Sequence, residues 1–104
     1  MVEIQHKDLA IVKKILRLHV PSFEVRAFGS RVHKKNLKPF SDLDIVIMTS
    51  TPLAPNCLGH LQEDFSQSVL PFKVDVVDWS EISDSFRQVI DQDFEVIHEP
   101  APRI

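Results

Sequence analysis

The stretch 28-FGSRVHKKNLKPFSDLDIVIM-48 organises the reading of the whole chain. It holds a Gly-Ser pair, Gly29 and Ser30, and an acid-apolar-acid triplet, Asp42-Leu43-Asp44, running into Ile45-Val46-Ile47. In a strand, residues two apart project from the same face, so both carboxylates would point one way. Two like charges that close favour a cation between them. Glycine lets the backbone approach a ligand closely, and the first amides of a following helix turn, with the Ser30 hydroxyl, make an anion site. The stretch therefore predicts a divalent metal on Asp42 and Asp44 beside a phosphate at Gly29-Ser30.

Working outward, Lys7 to His19 carries Leu9, Val12 and Leu16, and also Ile11, Ile15 and Leu18, at helical spacing. Pro21 stops that helix, and Phe23 to Phe28 alternates as a half-buried strand. A short helix is expected over Arg31 to Asn36, then a basic loop through Pro39, then a second strand over Leu43 to Thr49. Leu58, Leu61, Phe65 and Val69 mark a second long helix ending near Pro71. Lys73 to Val77 reads as a third strand. Ser80 or Ser83 would cap a third helix with the stripe Ile82, Phe86, Val89 and Ile90, and Phe94 to His98 reads as a final edge strand. The fold class is α+β with an α/β-like core: a mixed sheet of about four strands flanked by helices. The strand-helix-strand step from the second strand to the third favours a parallel pair with a right-handed crossover, which brings Asp75 alongside Asp42 and Asp44.

The chain has 104 residues, the size of one ordinary domain, so residues 1–104 are expected to form a single unit with a loose tail over 98–104. The lone Cys57 cannot make an intrachain disulfide, and the first residues carry no basic-then-apolar leader, so the expected location is cytoplasmic. No apolar run is long enough to span a bilayer, which argues against a membrane protein. A net charge of -3 argues against long nucleic acid as a partner but leaves mononucleotides open.

Carboxylate ligands with positions left for phosphate oxygens and water suit Mg²⁺ or Mn²⁺ better than zinc. His6, His19, His33, His60 and His98 are scattered along the chain, so a zinc site is not expected. Neither a Ser-His-Asp triad nor a Walker loop is present. Arg31, His33, Lys34, Lys35 and Lys38 form a basic cluster in which Arg31 is the expected phosphate contact. Asp75 could instead be a structural acid paired with Lys73 or Arg87. Asp78 reads as a turn residue, Trp79 as core and Cys57 as a small buried side chain.

Phe28-Gly29-Ser30-Arg31, the Ser41-Asp42-Leu43-Asp44-Ile45-Val46-Ile47 run and Val74-Asp75-Val76-Val77, in that order, resemble the polymerase-β nucleotidyltransferase superfamily, and within it the minimal nucleotidyltransferases, MNT. The resemblance covers nearly the whole chain and implies a single-domain nucleotidyltransferase fold. It implies catalytic and metal-binding roles for Asp42, Asp44 and Asp75, with two Mg²⁺ or Mn²⁺ ions when nucleotide is bound. Gly29, Ser30 and Arg31 would hold the phosphates. The implied reaction moves a nucleotidyl group, AMP by family habit, from a nucleoside triphosphate such as ATP to an acceptor hydroxyl. Larger members add a domain for the acceptor, so a partner chain is expected here. MNT proteins commonly pair with a helical HEPN-domain protein as its antitoxin, and AMP transfer to a HEPN tyrosine is the family's chemistry; homo- or hetero-oligomers both stay open. Two readings compete with catalysis: a silent nucleotide-binding or regulatory subunit that blocks the HEPN partner by binding, and a receiver-like pocket that accepts a phosphoryl group. The Gly-Ser pair and the Asp-x-Asp spacing within one strand argue against the last.

Overall fold

A computed structural model describes residues 2–34, 38 and 40–100. In chain order the elements are α1 (His6–His19), β1 (Val25–Phe28), α2 (Ser30–His33), β2 (Leu43–Ile47), α3 (Pro55–Gln67), β3 (Val74–Asp78), α4 (Asp84–Gln92) and β4 (Glu95–His98), with a 3-10 turn over Trp79–Glu81. The four strands form one mixed sheet in the order β3-β2-β1-β4, with β4 at an edge as expected. β1 runs antiparallel to both β2 and β4, whereas β2 and β3 are parallel across the α3 crossover. The α2 helix is expected to reach Asn36 and the tail to cover 98–104; positions 35–37, 39 and 101–104 lie outside the described residues, and His98 closes β4.

Strand alternation sends side chains to two different cores. Val25, Ala27, Leu43, Ile45, Ile47 and Ile97 face α1 and α3, where Val12, Leu16, Leu61 and Phe65 complete the larger cluster. The opposite face holds Phe28, Val46 and Ile90, packed by Val77, Trp79, Ile82, Phe86 and Phe94. Phe28 meets Phe86 edge to face at 5.7 Å between centroids. Asp44 and Asp75 alternate onto this second face with Val46 and Val77, at the end of the strands where the apolar cluster stops.

Two apolar residues depart from the periodicity. Val69 is 84% exposed because α3 ends at Gln67: Ser68 donates its hydroxyl to Phe65 O and accepts the Leu70 amide, so its side chain replaces the next helical turn. Val89 is 60% exposed because α4 turns Phe86 and Ile90, four apart, into the cluster that Ile82 joins from just before the helix, and Val89 falls beside that row. The cap of α4 is Ser83, whose hydroxyl accepts the Phe86 amide at 3.2 Å, while Ser80 is engaged elsewhere.

Candidate active site

The backbone brings the acids together through register. Asp44 is the direct parallel partner of Asp75, and on its other side it lies opposite Phe28, the residue before Gly29. Asp42 stands just ahead of β2 and is exposed. Gly29 has φ 81° and ψ −158°, a combination kept for glycine, and a Cβ built there would collide with Asp44 Oδ2 and lie 3.2 Å from Asp44 Cγ. The missing side chain is therefore the space the Asp44 carboxylate occupies. Gly29 also accepts the amides of Val32 and His33 through its carbonyl and so opens α2, with Ser30 as the first helical residue.

Burial pushes the Asp44 carboxyl up, and the neighbouring charges of Asp75 and Asp42 push it further, against a weaker opposite pull from His33; the result is a pKa of about 6. A carboxyl in that range is still mostly ionised at neutral pH but holds its proton far more readily than an ordinary aspartate, as a half-buried acid among like charges does. Lys73 supplies part of the counter-charge, with Nζ 3.3 Å from Asp75 Oδ1. Arg87 does not: its guanidinium donates to Trp79 O and pairs with Asp84. Among the described residues no three His, Cys, Asp or Glu are disposed as a ready-made metal cage. Hard carboxylate oxygens, a raised Asp44 and a glycine that lets the backbone lie directly against that carboxylate nonetheless fit a divalent cation that also draws ligands from a phosphate.

Arg31 differs from expectation. Sequence reading gives it to the phosphate, but its side chain is only 6% exposed, with Nε on Ser41 O at 2.9 Å, one terminal nitrogen on Glu3 O at 2.7 Å and the guanidinium 4.2 Å from the centre of the Phe72 ring. Asp78 also differs. It is 6% exposed and accepts the Thr49 and Ser80 hydroxyls and the Leu53 and Ser80 amides, which makes it a tie between three segments. Burial alone would raise its pKa, but these donors outweigh burial and lower it. The signal for this role was faint: an aspartate at the last position of a β-branched run, with its partners in a distant loop.

A mixed sheet with a Gly-Ser turn facing paired strand carboxylates defines a nucleotidyltransferase, and the chain belongs to the polymerase-β nucleotidyltransferase family, whose model matches residues 7–102. The chain is 45% identical over 97 residues to a probable protein adenylyltransferase, MntA, of Haemophilus influenzae, covering 93% of this chain and 84% of that protein. In fold it is similar to a toxin-antitoxin crystallised with AMP-PNP (TM-score 0.71, 23% identity, 88% of this chain and 73% of that one). It is likewise similar to a complex of tri-AMPylated Shewanella oneidensis HEPN toxin with MNT antitoxin (TM-score 0.68, 22% identity, 92% and 73%). No helix among the described residues is long and apolar enough to cross a membrane.

Proposed function

We propose that this protein is an MNT antitoxin that transfers AMP from ATP to a tyrosine hydroxyl of a HEPN-domain partner and so silences it. The observation that carries the reading is the register pair Asp44–Asp75 with Gly29 set against Asp44, in a chain nearly half identical to a protein described as an adenylyltransferase. Asp42, Asp44 and Asp75 would hold Mg²⁺ or Mn²⁺, and Gly29 and Ser30 would receive the β- and γ-phosphates. Bound there, two divalent ions would neutralise the crowded carboxylates and the charge on the entering and leaving oxygens. The chain's own residues would orient the α-phosphorus for in-line attack, and Asp75, as metal ligand or as general base for the proton of the acceptor hydroxyl, would complete the site as pyrophosphate leaves. The cytoplasm, where ATP is supplied and a lone thiol such as Cys57 stays reduced, suits this activity.

The test is incubation with α-labelled ATP, Mg²⁺ and the HEPN partner, followed by localisation of the label. Label on a partner tyrosine with the wild-type chain and none with Asp44→Asn is the expected result. If wild type, Asp42→Asn and Asp44→Asn all neutralise the partner equally and none transfers label, the protein acts by binding alone and the catalytic reading is wrong.

A further inference from the structure

Arg31 joins three segments around the acidic end of the sheet, and we propose that it is a positioning residue for nucleotidyl transfer, setting Asp42 and Asp75 relative to Asp44 without touching the nucleotide. The inference rests on the reading given under Proposed function. Its backbone belongs to α2, directly after the Gly29-Ser30 turn. In its side chain, Nε donates to the carbonyl of Ser41 at 2.9 Å. That carbonyl is part of the peptide group leading into Asp42, so holding it fixes the plane from which Asp42 extends.

The carbon of the same guanidinium lies over the Phe72 ring, 4.2 Å from its centre, and Phe72 is itself buried. Phe72 precedes Lys73, whose carbonyl accepts the Leu43 amide at 2.9 Å and thereby starts the ladder that sets Asp44 against Asp75. On a third side Arg31 and Glu3 bond reciprocally: the Glu3 amide donates to Arg31 O at 2.6 Å, and an Arg31 terminal nitrogen donates to Glu3 O at 2.7 Å. One planar, always-charged group thus meets the start of β2, the start of β3 and the N-terminal segment at fixed angles. A lysine ammonium is a point donor and can satisfy one of these contacts, but it lacks the fork and the flat face.

Displacing a catalytic group by an ångström without unfolding the protein typically costs about 100-fold in rate, because the reacting geometry is lost while binding contacts persist. A positioning role therefore predicts a fall in kcat with KM for ATP nearly unchanged, whereas a direct phosphate contact predicts a rise in KM. The experiment compares wild type, Arg31→Lys and Arg31→Met in labelled AMP transfer to the HEPN partner, with hydrogen exchange on the same samples. Expected for both variants are a kcat lower by about 30- to 100-fold with KM within about threefold, and exchange of the Asp42–Asp44 amides faster by about tenfold while α3 is unchanged. A KM increase with kcat retained, or kcat fully rescued by lysine, overturns the proposal, as does unaltered exchange over 42–44. If the Arg31 variants do not fold, Phe72→Leu removes the flat partner and leaves the guanidinium in place; a kcat equal to wild type there overturns the proposal, and a selective kcat loss supports it. If wild type transfers no label, the nucleotidyltransferase reading fails by itself, and the exchange arm still decides whether Arg31 holds the Asp42 segment.

Discussion

Asp44 and Asp78 are both aspartates in short β-branched strands, and the structure treats them in opposite ways. Asp44 is half-buried among its own kind: burial first, then the charges of its register partner Asp75 and of Asp42, push its carboxyl up to about 6. Asp78, at the far end of β3, is surrounded by donors from Thr49, Leu53 and Ser80 and is held below the usual carboxylate range. One carboxylate weakens the fold as it ionises and the other strengthens it. A charge that the fold does not satisfy is available to a ligand, whereas one it does satisfy is already in use.

The sharpest way to break this contrast is to neutralise each aspartate in turn. Asp44→Asn is expected to lower AMP transfer about 1000-fold, roughly 4 kcal/mol in the barrier, with circular dichroism unchanged. Asp78→Ala leaves buried donors without an acceptor and should cost about 3 kcal/mol in urea melts, with transfer by the remaining folded protein close to wild type. A destabilised Asp44→Asn that keeps activity, or a stable Asp78→Ala that loses it, would reverse the assignment. Gly29→Ala forces a side chain into the Asp44 carboxylate at a glycine-only conformation; a loss of about 2 kcal/mol is expected, together with transfer.

The pH dependence separates the two by sign. Because the folded pKa of Asp44 is raised, the native state holds the proton more tightly than the unfolded chain, so its contribution to stability declines as pH rises from about 4 to about 6. Screening by solvent limits the effect to about 1 kcal/mol, and Asp44→Asn should recover it in metal-free buffer at pH 7. Asp78 contributes in the other sense: its stabilisation is fully present above the ordinary carboxylate pKa and is lost only as pH falls through its own lowered value. Melting curves of Asp44→Asn and Asp78→Ala across pH 3 to 7, set against wild type, would show the opposite slopes. The smallest effect is expected at Gly59, in the interior of α3, where an added Cβ meets nothing within 4 Å; Gly59→Ala should stabilise by about 0.5–1 kcal/mol without touching transfer.

The nearness of Asp44 to Asp75 was legible in the sequence because a strand-helix-strand crossover leaves little choice of pairing and the alternation of Val74-Asp75-Val76 supplies the face. The fit of Asp44 against Gly29 was not, since it depends on β1 lying antiparallel beside β2 with Phe28 opposite Asp44. Asp78 read as a turn residue and does cap the Trp79–Glu81 turn, but its other donors arrive from the Thr49–Leu53 loop, a contact that no local pattern announces. Arg31 read as a phosphate contact because it stands next to Gly-Ser; a long side chain can reach either way, and the carbonyls of Glu3 and Ser41 decide it. Val69 and Val89 matched helical spacing, but a serine cap and a narrow buried row left both outside the core.

The parallel pairing of β2 with β3 also has a kinetic consequence. Asp44 and Asp75 meet only after the chain between them has closed through α3, so the acidic pair is a non-local contact whose loop entropy must be overcome before either carboxylate feels the other. During refolding, helical signal from α1 and α3 can return before the pair exists, and recovery of transfer will then trail recovery of ellipticity. Newly made chains would thus contain helix before they contain the assembled acidic pair.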